Sequence, residues 1–223
     1  MILLIDADDT LWENNIYFER VIDHFVARLN HPHLTHAEVR AVINEVESVN
    51  AKIHGYGAAS FTRNLREVLG RLSPASVGDR DWIDVLGRSI TEHPIEVIDG
   101  VRETLEYLNP RHRLVLFTKG NPAEQLGKIE RSGLGALFHD TRVVREKDAA
   151  SYESMAAELA QPKNDMWMIG NSPKSDINPA LAAGLRAVWI PHDATWVLEH
   201  EEVAAAPGRL MTLSRFAELR DWF

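Results

Sequence analysis

The sequence predicts a doubly wound α/β fold, a parallel sheet with helices on both faces, interrupted by an all-helical insert. Three observations carry this expectation. Short apolar runs without alternation recur along the chain, as strands buried on both faces require. Helical stretches and short connections separate them, which is the βαβα order of a parallel sheet. One long segment, residues 14–94, holds several helical periods and no convincing strand. The expected organisation is therefore an α/β core from residues 1–13 and 95–223, with a helical cap domain, residues 14–94, sitting over the sheet.

Ile2-Leu3-Leu4-Ile5 is an unbroken apolar run that stops at the acids Asp6, Asp8 and Asp9, so it predicts the buried strand that opens the core. In the insert, Phe18, Val21, Ile22, Phe25, Val26 and Leu29 repeat at helical spacing. A second helix is expected from His36, a third over 61–72 and a fourth over 82–90. Ser73-Pro74-Ala75-Ser76 and Val77-Gly78-Asp79 read as a loop between the last two. The core resumes with strands at 113–118, 166–170 and 186–191 and weaker strand candidates at 141–144 and 210–212. Helices are expected at 122–131, 149–159, 179–183 and 214–222.

Composition narrows the function. The chain of 223 residues carries 24 Lys and Arg against 33 Asp and Glu, a formal charge of −9. That balance argues against nucleic acid or anionic lipid as the main partner, because both need surplus cations. There are no cysteines, which excludes disulfides, thiolate metal sites and Cys nucleophiles. No apolar run nears the ~20 residues that span a bilayer, and the first strand meets an acid with no basic region before it, unlike a secretory signal. The chain is expected to be soluble and cytoplasmic. The ten histidines suggest no zinc site: His31, His33 and His36 fall in one loop region expected at the surface.

Ligands of open α/β sheets bind beyond the carboxyl ends of the strands, and here each such end delivers polar groups. The first gives Asp6, Asp8 and Thr10; the second gives Thr118-Lys119-Gly120-Asn121; the third gives Arg145-Glu146-Lys147; the fourth gives Gly170-Asn171-Ser172-Pro173-Lys174-Ser175-Asp176. If those strands are neighbours, carboxylates, a hydroxyl and an ammonium converge on one crevice. Oxygen ligands of this kind select a hard cation, Mg²⁺ above all. A carboxylate can attack phosphorus once a cation and a lysine offset the charge repulsion. Two neighbouring carboxylates also have their pKa values pushed apart, which separates a nucleophile from a proton carrier.

With these residues in place, the chain resembles the haloacid dehalogenase (HAD) superfamily of hydrolases, whose core is Rossmann-like. Ile5-Asp6-Ala7-Asp8-Asp9-Thr10-Leu11 is similar to the first family motif, Thr118 to the second, Lys147 to the third, and Gly170-Asn171-Ser172 through Asp176 to the fourth. The resemblance implies a Mg²⁺-dependent phosphatase acting on a small phosphomonoester, of sugar phosphate or nucleotide type, through an aspartyl phosphate. It implies Asp6 as nucleophile and Asp8 as the acid and then the base. Thr118 and Lys147 would hold the phosphoryl group. Mg²⁺ would lie between Asp6, the backbone carbonyl of Asp8 and a fourth-motif group, Asn171 or Asp176. Lys119 is a further phosphate-binding candidate, or its segment simply turns the chain into the next helix.

Two positions depart from the family pattern. An acid is usual where Asn171 stands, so weaker metal binding is expected, and Asn171→Asp is expected to tighten it. Asp9 stands where many members carry Gly and is expected to be solvated, with a role in shaping the cap hinge as the alternative. Trp12, Tyr56, Ser60 and Arg63 are candidates for substrate choice. Trp12 follows the first motif, Tyr56 lies inside a glycine-interrupted break in the cap, His54-Gly55-Tyr56-Gly57, and Ser60 and Arg63 follow it. The alternatives are a haloacid dehalogenase, a phosphonate-cleaving relative using a cap lysine such as Lys52, and a non-catalytic phosphate- or metabolite-binding module.

Overall fold

The computed structural model describes residues 1–73 and 81–223. In it the run Ile2–Ile5 is strand β1, and its side chains divide between two buried faces. Leu3 and Ile5 pack with Leu114, Leu116 and Ile169 on one face. Ile2 and Leu4 pack with Val115, Phe117 and Met168 on the other. Burial on both sides is why the sequence shows no alternation. Strands β2 (Arg113–Lys119), β3 (Asp140–Val144), β4 (Met166–Gly170), β5 (Arg186–Trp189) and β6 (Leu210–Thr212) complete a six-stranded sheet of order β3-β2-β1-β4-β5-β6. All five pairings are parallel. The weaker candidates β3 and β6 are the edge strands, whose half-buried side chains dilute the apolar signal.

The chain separates into two compact units, Met1–Asn15 with Ile95–Phe223, and Ile16–Pro94. The second is made of helices α1 (Asn15–Leu29), α2 (His36–His54), α3 (Ala58–Leu72) and α4 (Asp81–Glu92). It has its own core, with Phe25, Ile43, Phe61, Leu65, Val68 and Ile83 buried together. α2 starts at a reciprocal cap, Thr35 with Glu38. At Gly87 of α4 an added Cβ would lie 3.1 Å from Thr62 Cβ and closer still to its hydroxyl, so this glycine lets α3 and α4 approach. The stretch at 73–79 expected to be a loop falls, apart from Ser73, outside the described residues.

In the first unit the helices are α5 (Val101–Leu108), α6 (Pro122–Ser132), α7 (Ala149–Leu159) and the short α8 (Asn178–Ala182). α6 has the helix signature of Asn121 as N-cap, Pro122 next and Gly133 left-handed past its end. α5 was not expected from the sequence. The helix expected at 214–222 is a 3₁₀ turn, Phe216–Asp221, whose buried anchors Phe216 and Leu219 are spaced three apart, the 3₁₀ period. Among the described residues no helix is long and apolar enough to cross a membrane.

Candidate active site

Register places the polar groups. β1 lies between β2 and β4, with Ile5 opposite Leu116 and Ile169. The Asp6 N–H donates to the Ile169 carbonyl at 2.9 Å, so the first residue past β1 is fixed at the sheet's carboxyl edge. Lys147, just beyond β3, is 3 % exposed and reaches across that edge. Its ammonium donates to Asp6 and, at 2.7 Å, to Asp176 Oδ1. The other Asp176 oxygen accepts the Ser172 N–H at 3.0 Å. Burial opposes the Lys147 charge, yet Asp176 and Asp6 outweigh it and hold the ammonium above the ordinary lysine value. Burial and then the Asp176 charge push the Asp6 carboxyl up to about 7, against the pull of Lys147. Two buried carboxylates thus share one ammonium.

Thr10 extends the group. Its hydroxyl lies 3.2 Å from Asp6 Oδ2 and 3.2 Å from Asn171 Oδ1, both acceptors, with one proton to give. Asp6, Lys147, Asp176, Thr10 and Asn171 therefore form one connected cluster. Thr118 is 1 % exposed near the end of β2, the strand beside β1.

Asp8 sits in a different set of contacts. Lys128 of α6 donates to both of its oxygens, at 2.8 and 2.7 Å, Gln125 donates at 2.9 Å and the Trp12 indole at 2.8 Å. Burial alone would raise the Asp8 carboxyl, but Lys128, Gln125 and Trp12 outweigh it and hold it below its ordinary value. Trp12 itself is fully buried in the core of its unit. Asp9 is buried, not solvated as expected. Its backbone is left-handed, φ 59°, a conformation that favours Gly and tolerates Asp. Its carboxylate accepts the N–H groups of Asn14 at 2.9 Å and Asn15 at 3.0 Å. Asp9, Glu13 and His192 bring ligand-type atoms within 4.8 Å of one another. They are occupied locally, since His192 Nδ1 accepts the Ala194 N–H at 3.2 Å and its Nε2 faces Glu13 at 3.2 Å.

Lys119 points to the fourth-motif segment, donating to Glu199 at 2.6 Å and to the Ser175 hydroxyl at 2.8 Å. Glu199 also accepts from Ser172 at 2.6 Å. Burial would raise Glu199, but Lys119 and the serine hydroxyls bring it below its ordinary value. Of the remaining candidates, all in the helical unit, Tyr56 is half-buried between Gly55 and Gly57, both at positive φ. Ser60 donates to the His54 carbonyl at 3.2 Å, and Arg63 is exposed. Sequence reasoning missed Lys128, Gln125 and Glu199, and also Thr195, whose hydroxyl accepts from Asn171 Nδ2 at 3.0 Å. The one available signal was their polarity at positions that a helix or a post-strand loop turns inward.

The donors fit a hard divalent cation. Asp6 Oδ2 and Asn171 Oδ1 face a single hydroxyl proton, and Asp6 and Asp176 set two carboxylates against the one positive charge of Lys147. Acceptor oxygens and negative charge are thus in excess, which suits an added cation, and the ligand atoms are all oxygen.

No curated protein sequence matches this chain. Among solved structures it is similar to a haloacid dehalogenase-like family hydrolase from Xanthomonas campestris, at 30 % identity and TM-score 0.84 over 100 % of this chain and 93 % of that one. It shares the fold of the HAD-hydrolase YfnB of Bacillus subtilis, a structure bound to magnesium, at 18 % identity and TM-score 0.70, covering 99 % and 97 % of the two chains. It shares it also with L-2-haloacid dehalogenase from Xanthobacter autotrophicus, at 14 % identity and TM-score 0.67, covering 99 % and 96 %. The profile of the haloacid dehalogenase-like hydrolases matches residues 1–184, which takes in all four strand-end segments. The chain belongs to the haloacid dehalogenase-like hydrolase family.

Proposed function

We propose that this hydrolase is a Mg²⁺-dependent phosphatase of small phosphomonoesters, working through a phosphorylated Asp6. The observation that carries this reading is the charge balance, two buried carboxylates, Asp6 and Asp176, on one ammonium. A site built that way is completed by a cation, and a phosphate ester brings the oxygens that such a cation leaves room for. Asp6, the Asp8 carbonyl, Asn171 and Asp176 would hold Mg²⁺, which supplies charge to offset repulsion between the carboxylate and the phosphoryl oxygens. Asp6 attacks phosphorus and the ester P–O bond breaks, the leaving oxygen taking a proton through Asp8. Water then attacks the phosphorus of the acyl phosphate and frees Asp6 and inorganic phosphate, its proton passing to Asp8. Lys147 and Thr118 are assigned to holding the phosphoryl group, and Lys119, whose ammonium rests on Glu199 and Ser175, is a further candidate. Tyr56, Ser60 and Arg63 are assigned to substrate choice, whereas Trp12, fully buried with its indole on Asp8, supports that carboxylate from the core side.

One observation favours a second reading. Both Asp8 oxygens are taken by Lys128, Gln125 and Trp12, so Asp8 rests as an ionised acceptor. Displacement of halide from a 2-haloacid by Asp6 needs no proton for the leaving group, and an ionised Asp8 can still serve as base for hydrolysis of the ester. The two readings separate in one experiment. The purified protein is given para-nitrophenyl phosphate, with Mg²⁺ and with chelator, and separately 2-chloropropionate with halide release followed. Phosphate release that needs Mg²⁺ and falls at least ~10³-fold in Asp6→Asn is expected. Halide release indifferent to chelator, with no phosphate release, would replace the phosphatase by the dehalogenase.

A further inference from the structure

Asn171 is a neutral amide in a metal-binding position, and an amide can face the wrong way. Only its oxygen can hold a cation; turned by half a rotation it presents N–H groups instead. What sets the orientation lies on the far side of the residue. Asn171 Nδ2 is 3.0 Å from the Thr195 hydroxyl, and that hydroxyl is 2.8 Å from the His192 carbonyl. A carbonyl oxygen only accepts, so the single Thr195 proton goes to His192. The Thr195 oxygen is then left as an acceptor, and Asn171 must meet it with N–H. This directs Oδ1 toward the Thr10 hydroxyl, which also faces Asp6 Oδ2. The Asn171 backbone is held as well, its carbonyl accepting from the Trp189 indole at 3.0 Å.

We propose that Thr195 is a positioning residue that fixes the Asn171 amide with its oxygen toward the cation, so that the His192–Thr195–Asn171 chain makes a neutral side chain a dependable ligand. The proposal rests on the metal reading of the site given above. It has a consequence for the carboxylate variant. An Asp at position 171 has no wrong orientation, but it would set an oxygen against a Thr195 hydroxyl already committed to His192. Thr195 should therefore help Mg²⁺ binding beside Asn171 and do nothing for it, or oppose it, beside Asp.

The test is Mg²⁺ titration calorimetry on the full chain, with thermal melting of each variant beside it. Thr195→Val keeps the shape and removes the hydroxyl, and is expected to weaken Mg²⁺ binding about tenfold, in the range that ligand-orienting residues show. Thr195→Ser is expected to restore it, and Thr195→Ala serves if the valine variant does not fold. In Asn171→Asp, adding Thr195→Val is expected to cost no affinity. Unchanged binding in Thr195→Val, or the same loss in both the Asn and the Asp backgrounds, would overturn the assignment. If the unaltered protein bound no Mg²⁺ at millimolar concentration, the metal reading would fall first; that outcome is told apart because it appears before any substitution is made.

Discussion

A carboxylate two residues from another buried carboxylate remains ionised only if something nearby holds its charge, and for Asp8 that group is Lys128. The pair is nearly enclosed, with side-chain exposures of 7 % for the lysine and 22 % for the aspartate. Removing one partner strands the other in poor solvent, whereas removing both leaves no orphan charge. Lys128→Met and Asp8→Asn should each lower stability, and the double variant should lose less than their sum, with a coupling of about 2 kcal/mol in urea denaturation. Simple addition of the two losses would show that the pair does not hold Asp8. Asp8 itself was legible, because an apolar run that stops at an acid is a local signal. Lys128 was not: on α6 it reads as one more polar position beside Gln125, and only the fold turns it toward a residue near the start of the chain. The same distance hid Thr195 from Asn171 and Glu199 from Lys119. Asp9 was misjudged for a related reason, since the backbone conformation that buries its carboxylate under the Asn14 and Asn15 amides leaves no trace in composition.

At the scale of elements, the site depends on how tightly the fourth-motif segment folds back on the strand that delivers it. After Gly170, the last residue of β4, the Ser172 carbonyl accepts from Asp176 at 2.9 Å and Ile177 at 3.1 Å in a wide π-type turn, Pro173–Ile177. The turn returns Asp176 against Gly170. A Cβ at Gly170 would lie 2.9 Å from Asp176 Cβ and closer still to its carboxyl group. Gly170→Ala should therefore displace Asp176 from Lys147, cost about 2 kcal/mol by overpacking, and weaken Mg²⁺ binding in calorimetry. A variant with wild-type melting and binding would mean that Asp176 has room the contacts do not show. The central strands were legible because burial on both faces leaves unbroken apolar runs. The wide turn was not, since its hydrogen-bond pattern differs from an α-helix by one residue and the polar sequence does not record which is made. α5 was missed because eight residues opening at Gly100 show barely two turns of periodicity.

Across the whole molecule, two compact units, each with its own buried hydrophobic side chains, are joined by two chain crossings, at residues 15–16 and 94–95. On the side of the first unit those crossings are tied together: the Glu13 N–H donates to the Glu96 carbonyl at 2.9 Å and Ile98 N–H to Leu11 carbonyl at 3.0 Å. The Mg²⁺ ligands proposed here all lie in the first unit, whereas Leu65, fully buried, lies in the core of the second. Separate cores do not have to melt together, and a ligand raises the melting temperature of the part whose folded form binds it. Scanning calorimetry of the full chain should show two transitions, of which Mg²⁺ raises one. Leu65→Ala, with a core-cavity cost of about 3 kcal/mol, should lower the other by about 10 °C or more and leave the Mg²⁺ response of the first in place. If both perturbations moved one common transition, the two units would be folding cooperatively as one, and the helical insert would be part of what holds the site together.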